Sequence, residues 1–317
     1  MGSGGKKPDL TPRVKDGARS AEDSHMRLHL LVLSMVSTLG ACVVQPPASA
    51  ARPPAARVRV ATWNVHDLFD AEDRLAPPGD LDEVRSAGEV EEKLTLVAAV
   101  LARLDADVVL LQEVENLQLA EALAARAGYA EARLVEGFDP RGIDVAVLSR
   151  LAVEGYVSHL GEVGPDGRPL WSRDCVEAHV GGEGALVFVG THLVSLVTDP
   201  SGVRRLAQAA RMREIADGLV HGVPGALVIA GGDLNDEPAS PALAPLLADG
   251  TWVDPLAEAG LGETWTWTGA GRGARLDYLL VPSSASWRVV GASVEDGPDV
   301  LEASDHRPVV LELLPGG

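Results

Sequence analysis

The stretch Leu227-Val228-Ile229-Ala230-Gly231-Gly232-Asp233-Leu234-Asn235 constrains this chain more than any other. Its four apolar residues, two of them β-branched, read as a buried strand of a layered fold. The paired glycines then end the strand and let the backbone pass close to whatever lies beside it. Asp233 and Asn235 leave the tip two residues apart. In extended chain such side chains point the same way, so both can address one ligand, a metal ion or a phosphate. A Gly-Asp-x-Asn segment is also an ordinary Asx-type turn, and by itself it leaves both readings open.

Other apolar runs repeat the pattern of a strand delivering polar residues at its end. Val58–Val65 alternates as a strand and leads into Asn64, His66 and Asp67; Asp107–Leu111 is a second buried strand and delivers Gln112 and Glu113. Helical periodicity follows each, over Glu89–Leu104 and Leu117–Ala127, a β-α-β-α rhythm that packs helices on sheet faces. Shorter runs at Ile143–Ser149, Val153–His159, Cys175–Val180 and Ala185–Gly190 have the spacing of antiparallel pairs, and the last of them leads to Thr191 and His192. A long helix over Arg204–Leu219, a short one over Ala242–Leu247, and strands Leu276–Val281 and Val309–Leu314 complete the chain. With no internal repeat and no linker after Arg57, residues 58–317 form one domain.

What precedes that domain is of another kind. Residues 1–25 are polar and aperiodic and read as a disordered or upstream extension. From Met26 the chain has Arg27, an apolar run Leu28–Leu39 too short to span a bilayer comfortably, and then Leu39-Gly40-Ala41-Cys42. That ending resembles a bacterial lipobox, so residues 26–42 read as a lipoprotein-type signal peptide with Cys42 as the lipidated residue; a plain secretory signal or a buried helix is the alternative. An Ala/Pro-rich tether, residues 43–57, follows. The expected location is therefore a bacterial membrane, with the domain held on its periplasmic or outer face or secreted. Of the two cysteines Cys42 is the expected lipidated residue, which leaves Cys175 alone and excludes a disulfide framework.

Formal charge is −19, and the first 57 residues hold eight basic and four acidic side chains, so 27 − 8 = 19 basic residues face 46 − 4 = 42 acidic ones beyond them. A body near −23 excludes tight non-specific gripping of nucleic acid, though not an enzyme whose acids bind metal and which must release its product. Asn64, Glu113, His192, Asp233, Asn235, Asp277, Asp305 and His306 almost all sit at strand ends, where an α/β protein gathers a site. Hard oxygen ligands dominate and no thiol is offered, which suits Mg²⁺, Mn²⁺ or Ca²⁺ better than zinc. The implied chemistry is metal-assisted attack of water on a phosphorus ester.

Six motifs in order, Trp63-Asn64, Gln112-Glu113, Thr191-His192-Leu193, Gly232-Asp233-Leu234-Asn235, Arg275-Leu276-Asp277-Tyr278 and Ser304-Asp305-His306-Arg307-Pro308-Val309, resemble the endonuclease/exonuclease/phosphatase superfamily, which includes DNase I and the exonuclease III type AP endonucleases. The resemblance implies an α/β DNase I-like sandwich of two mixed β-sheets flanked by helices. It implies Glu113 as the principal Mg²⁺ ligand, with Asn64 and Asp305 beside it; Mn²⁺ or Ca²⁺ can take the same place. His306 would face the scissile phosphate, held by Asp277. Asp233 would orient or deprotonate the attacking water and Asn235 hold a phosphate oxygen. His192 matches the second histidine of the DNase I-like branch, with Asp144 as its expected acidic partner, and Arg173 is the expected phosphate contact.

His66, His159, His179 and His221 are expected to be surface or structural histidines, and Trp265 and Trp267 core or sheet-face residues. The function implied is a divalent-metal-dependent phosphodiesterase, an exported, monomeric nuclease acting on nucleic acid. Phospholipid or inositol phosphate head groups are the alternative substrates, and a binding lipoprotein on an inactive scaffold is the non-enzymatic alternative. Cys42→Ser is expected to release the protein from the membrane fraction with its domain folded; a mature N-terminus elsewhere, on a soluble wild-type protein, refutes lipidation at Cys42.

Overall fold

The computed structural model describes residues 57–72, 83–181, 186–269 and 271–314. The extension 1–25, the signal segment 26–42 with Cys42, and the tether up to residue 56 lie outside the described residues. In chain order the first half supplies β1 (Val58–Leu68), α1 (Ala87–Leu104), β2 (Val108–Val114), α2 (Leu117–Ala127), β3 (Glu131–Leu134), β4 (Asp144–Ser149), β5 (Val153–Ser158), β6 (Cys175–Val180) and β7 (Leu186–His192). The second half supplies α3 (Val203–Gly222), β8 (Leu227–Asp233), α4 (Ala244–Leu247), β9 (Trp252–Val253), α5 (Pro255–Glu258), β10 (Trp267–Gly269), β11 (Arg272–Ala274), β12 (Asp277–Pro282), β13 (Val289–Val294), α6 (Pro298–Ala303) and β14 (Val309–Leu313).

Two six-stranded sheets result, in the orders β13-β14-β1-β2-β4-β3 and β5-β6-β7-β8-β12-β9, with β10 and β11 as a separate two-stranded ribbon. Each large sheet is mixed. One parallel pair, β1–β2 or β7–β8, lies at its centre among antiparallel neighbours. Helices make the parallel connections, α1 between β1 and β2 and α3 between β7 and β8.

The continuous apolar runs follow from burial on both faces. In β2, Val108 and Leu110 join Phe188, Ile229, Leu279 and Leu311 in the core between the sheets, while Val109 and Leu111 turn outward to meet Leu101 and Leu123 of the α1–α2 layer. The outer face of the second sheet packs against α3 through Val228, Ala230, Met212 and Ala216. Four layers thus stack helix, sheet, sheet, helix, as the DNase I-like resemblance implies. Among the described residues no helix is long and apolar enough to cross a membrane.

Several expectations need correction. Helix α1 starts at Ala87, two residues earlier than the apolar periodicity indicates, because Ser86 and Glu89 form a reciprocal capping box. Strand β8 does not end at its glycines but runs through them to Asp233. There Gly231 pairs with Leu279 and Gly190, and Gly232 with Tyr278 and Thr191, so both are flanked by neighbouring strands. Gly232 has φ 128°, and a Cβ on it would stand 1.9 Å from the Thr191 carbonyl oxygen. Gly232→Ala is expected to cost about 1–3 kcal/mol from the backbone conformation alone, read as a lower urea midpoint; an unchanged midpoint refutes the requirement.

Candidate active site

Strand register assembles one wall of the site before any side chain is considered. His192 of β7 pairs with Asp233 of β8, and Asp233 pairs with Asp277 of β12, so the three stand in one row across the second sheet. The first sheet contributes the adjoining ends of β1 and β2, where Asn64 pairs with Gln112. Both parallel pairs therefore end at the same place. His66, Asp67, Glu113 and Asn235 all have positive φ, between 52° and 64°, and all lie there. Backbone strain in non-glycine residues is concentrated at the site, where the surrounding packing holds it.

The two sheets meet through one carboxamide. Asn64 Nδ2 donates to Glu113 Oε1 at 3.2 Å and to Asp233 Oδ2 at 2.9 Å, while Asn64 Oδ1 accepts from the His66 amide at 2.9 Å. Asp233 Oδ2 also lies 3.3 Å from His192 Nε2 and 3.8 Å from His306 Nε2, and Asp233 Oδ1 accepts from the Asn235 amide at 2.9 Å. His306 Nδ1 is 2.9 Å from Asp277 Oδ2. Its backbone is held as well: Trp63 Nε1 donates to the His306 carbonyl at 3.0 Å, and the His306 amide donates to Ser304 Oγ at 3.0 Å. The structure thus brings together Asn64, Glu113, His192, Asp233, Asn235, Asp277 and His306.

Burial and neighbours divide the ionisation states. Burial alone would lower the His306 imidazole, but Asp277 outweighs it and raises the group to about 10, so it is a cation at neutral pH. His192 goes the other way. Burial, with the Arg173 cation beside it, pushes it well below 6.5 and keeps it neutral, and its buried Nδ1 has no hydrogen-bond partner. Burial and then the Asp277 charge raise Asp233 to about 7. Burial also works against the Glu113 anion, yet the Arg141 cation and hydrogen bonds from Asp67 and Asn64 hold its carboxyl well below the ordinary range.

Two expected partners are placed differently. Asp144 forms no hydrogen bond with His192; the Gly137 amide donates to both its oxygens at 3.0 Å, and burial raises its carboxyl to about 8. Arg173 is buried and spends its guanidinium on structure, donating to the carbonyls of His192 at 3.2 Å and Leu193 at 2.9 Å and to Asp139 Oδ2 at 3.1 Å. It positions the His192 loop rather than reaching for a phosphate. Asn235 also uses its amide, donating from Nδ2 to the Leu193 carbonyl at 2.9 Å.

Four residues outside the expected set line the same cleft of about 1210 Å³: His66, Asp67, Arg141 and Trp267. His66 is no bystander, since its Nδ1 lies 3.2 Å from Asp305 Oδ1. The Asp67 amide donates to Glu113 Oε2 at 3.0 Å, and burial followed by the nearby Glu113 charge raises its own carboxyl to about 6. Arg141 reaches Asp67 Oδ1 at 3.1 Å and Glu113 Oε1 at 3.8 Å. Its place directly before Gly142-Ile143-Asp144 was a usable signal. The positive φ of His66 and Asp67 was not.

A divalent cation fits the Glu113 side by its donor chemistry. Glu113, Asp67 and Asp305 are hard donors that line the cleft, and Asn64, bonded to Glu113 through Nδ2, presents its Oδ1 to the His66 amide. Asp233, Asp277 and His306 also present ligand-type atoms within 4.8 Å of one another. There, however, His306 Nδ1 is committed to Asp277 and the ring carries a proton, so a cation would have to displace it.

The state of Asp144 generates a prediction. Its raised value means the folded protein retains a proton that the unfolded chain has lost, so this group's contribution erodes as pH rises from 3.8 through about 8. Asp144→Asn is expected to flatten the stability profile over that window and leave turnover close to wild type. A variant that loses turnover restores the pairing with His192.

The chain matches the Endonuclease/Exonuclease/phosphatase family over residues 61–306. No curated protein matches it. Among solved structures, TDP2 from C. elegans is similar at 19% identity, with 81% of this chain and 75% of that one covered and a TM-score of 0.58. The human Nocturnin catalytic domain with bound sulfate anion is similar at 17% identity, with coverage of 83% and 96% and a TM-score of 0.59. An endonuclease/exonuclease/phosphatase from Beutenbergia cavernae has 24% identity, coverage of 83% and 72%, and a TM-score of 0.54. The two-sheet fold, the row of strand-end residues and the extent of the family match together establish that this chain belongs to the endonuclease/exonuclease/phosphatase family of divalent-metal-dependent phosphoric-ester hydrolases.

Proposed function

We propose that the protein is an exported, lipid-anchored phosphodiesterase that uses Mg²⁺ or Mn²⁺ and hydrolyses phosphodiester bonds of nucleic acid. The observation that carries this reading is the position of the Asp233 carboxylate, which stands among His192, His306 and Asn64 and is joined through Asn64 to Glu113. A divalent ion held by Glu113, Asp305 and Asn64, with Asp67 beside them, supplies charge neutralisation at the phosphoryl oxygens. Asp233 orients the attacking water and accepts its proton, a role suited to a carboxyl poised near neutrality. The His306 imidazolium, kept charged by Asp277, stands beside the phosphoryl group as charge accumulates on it. The neutral His192 offers a hydrogen bond on the other side of Asp233.

The rim supports a polyanionic substrate on an otherwise acidic body, since Arg141, Arg168, Arg204 and Arg272 all border the cleft. One observation favours a second reading. Phe138, Leu196 and Val197 line the same mouth, and Val197 is 89% exposed, an apolar edge that suits a phospholipid or inositol phosphate head group presented at an interface.

The test is a substrate panel with Mg²⁺ or Mn²⁺ and with a chelator: plasmid, RNA, a chromogenic phosphodiester, phospholipid vesicles and inositol phosphates. Cation-dependent cleavage of the nucleic acids supports the first reading, and hydrolysis confined to lipid or inositol phosphates replaces it with the second. Glu113→Ala, His306→Ala and His192→Ala are each expected to cost on the order of 10²-fold or more in turnover with the fold retained. Near-wild-type rates in folded variants at saturating metal would move the chemistry elsewhere.

A further inference from the structure

Of the two alternating tryptophans, Trp265 is occupied structurally: the Arg307 guanidinium lies 3.3 Å from its ring centre. Trp267 faces the cleft instead and is only partly buried, so core packing does not account for it. Its Nε1 donates to Asp305 Oδ2 at 2.9 Å. The backbone around it is stitched to the same segment, with Trp267 bridged to His306, the Thr268 amide donating to the Asp305 carbonyl at 2.9 Å and the Arg307 amide to the Thr266 carbonyl at 2.6 Å.

A second, independent feature serves the same indole. Gly269 is not among the glycines with positive φ, so its backbone would accept other residues. Yet a Cβ there would stand 2.1 Å from Trp267 Cζ2 and 2.4 Å from Cη2. The bare α-carbon makes room for the ring to lie where its N–H meets Asp305. The Asp305 side chain is 32% exposed, a situation in which an aspartate ordinarily samples several rotamers, but its Oδ1 faces His66 Nδ1 at 3.2 Å while Oδ2 accepts from Trp267.

We propose that Trp267 is a positioning residue that fixes the Asp305 carboxylate for the divalent cation, with Gly269 as the space that lets it do so. This rests on Asp305 belonging to the cation-holding set. Outer hydrogen bonds to metal-binding carboxylates are worth about 10- to 100-fold in metal affinity, because an oriented ligand loses less freedom on binding. The indole N–H leaves lone pairs on both oxygens free while removing rotation about the carboxylate.

The test titrates Mn²⁺ alone into purified, metal-free protein, following free Mn²⁺ by electron paramagnetic resonance. Trp267→Phe, which keeps an aromatic ring and removes the N–H, is expected to weaken binding about 10- to 100-fold with an unchanged melting temperature in chelator. Gly269→Ala, which retains every hydrogen-bonding group, is expected to weaken binding in the same direction. In an Asp305→Asn background Trp267→Phe is expected to add nothing, since the two act through one carboxylate. Wild-type affinity in Trp267→Phe while Asp305→Asn is weakened overturns the proposal, and so do additive losses in the double variant. Wild-type affinity in Asp305→Asn overturns the assignment of Asp305 as a ligand, and the role of Trp267 with it.

Discussion

Everything at the candidate active site depends on the Asn64 carboxamide, which holds one carboxylate from each sheet. Glu113 belongs to β2 and Asp233 to β8, so without a neutral donor between them two acids would face each other across a buried seam. The amide offers each a hydrogen and adds no charge, leaving Glu113 free to stay anionic while Asp233 rises toward neutrality. Ser304 secures the arrangement by donating from Oγ to the Asn64 carbonyl at 2.7 Å and accepting from His306. One strand end thereby sets the separation of Glu113 from Asp233.

The two histidines show how position selects function. Both are buried and both lie within 4 Å of Asp233, yet His306 has a dedicated carboxylate at Nδ1 and His192 has none. That difference, together with burial and the Arg173 cation beside His192, makes one a cation and the other a neutral ring. A pair of like residues around a phosphoryl group thus provides a fixed charge and a hydrogen-bonding group without competing for the same proton.

Residues on regular strands were legible in the sequence because their side chains are placed by period alone. Asn64, His192, Asp233 and Asp277 stand at the ends of strands that the apolar runs mark, and β6 and α2 match to the residue. What was not legible depends on contacts between distant segments. The positive φ at His66 and Asp67 is announced by no local composition. Asp144 is the acidic partner that the resemblance implies for His192, but the Gly137 amide, seven residues earlier, donates to both its oxygens instead. Arg173 carries the charge of a phosphate ligand, and only the fold reveals that it donates to the His192–Leu193 backbone and to Asp139. The short strands β3, β9, β10 and β11 have too few residues to show a period.

Arg205 of α3, almost wholly buried, ties the cleft wall to the catalytic turn. Its Nη1 donates to the carbonyls of Val194 at 3.1 Å and Asp199 at 3.3 Å, its amide donates to Asp199 Oδ2, and its Nε donates to Asp236 Oδ2 at 2.8 Å. The loop that carries Leu196 and Val197 is therefore pinned at both feet by the side chain that also steadies the turn after Asp233. Its apex touches neither attachment. Evolution can exchange residues 195–198 without disturbing the distances on which hydrolysis depends, so this chain's taste in substrates can drift while its chemistry stays still.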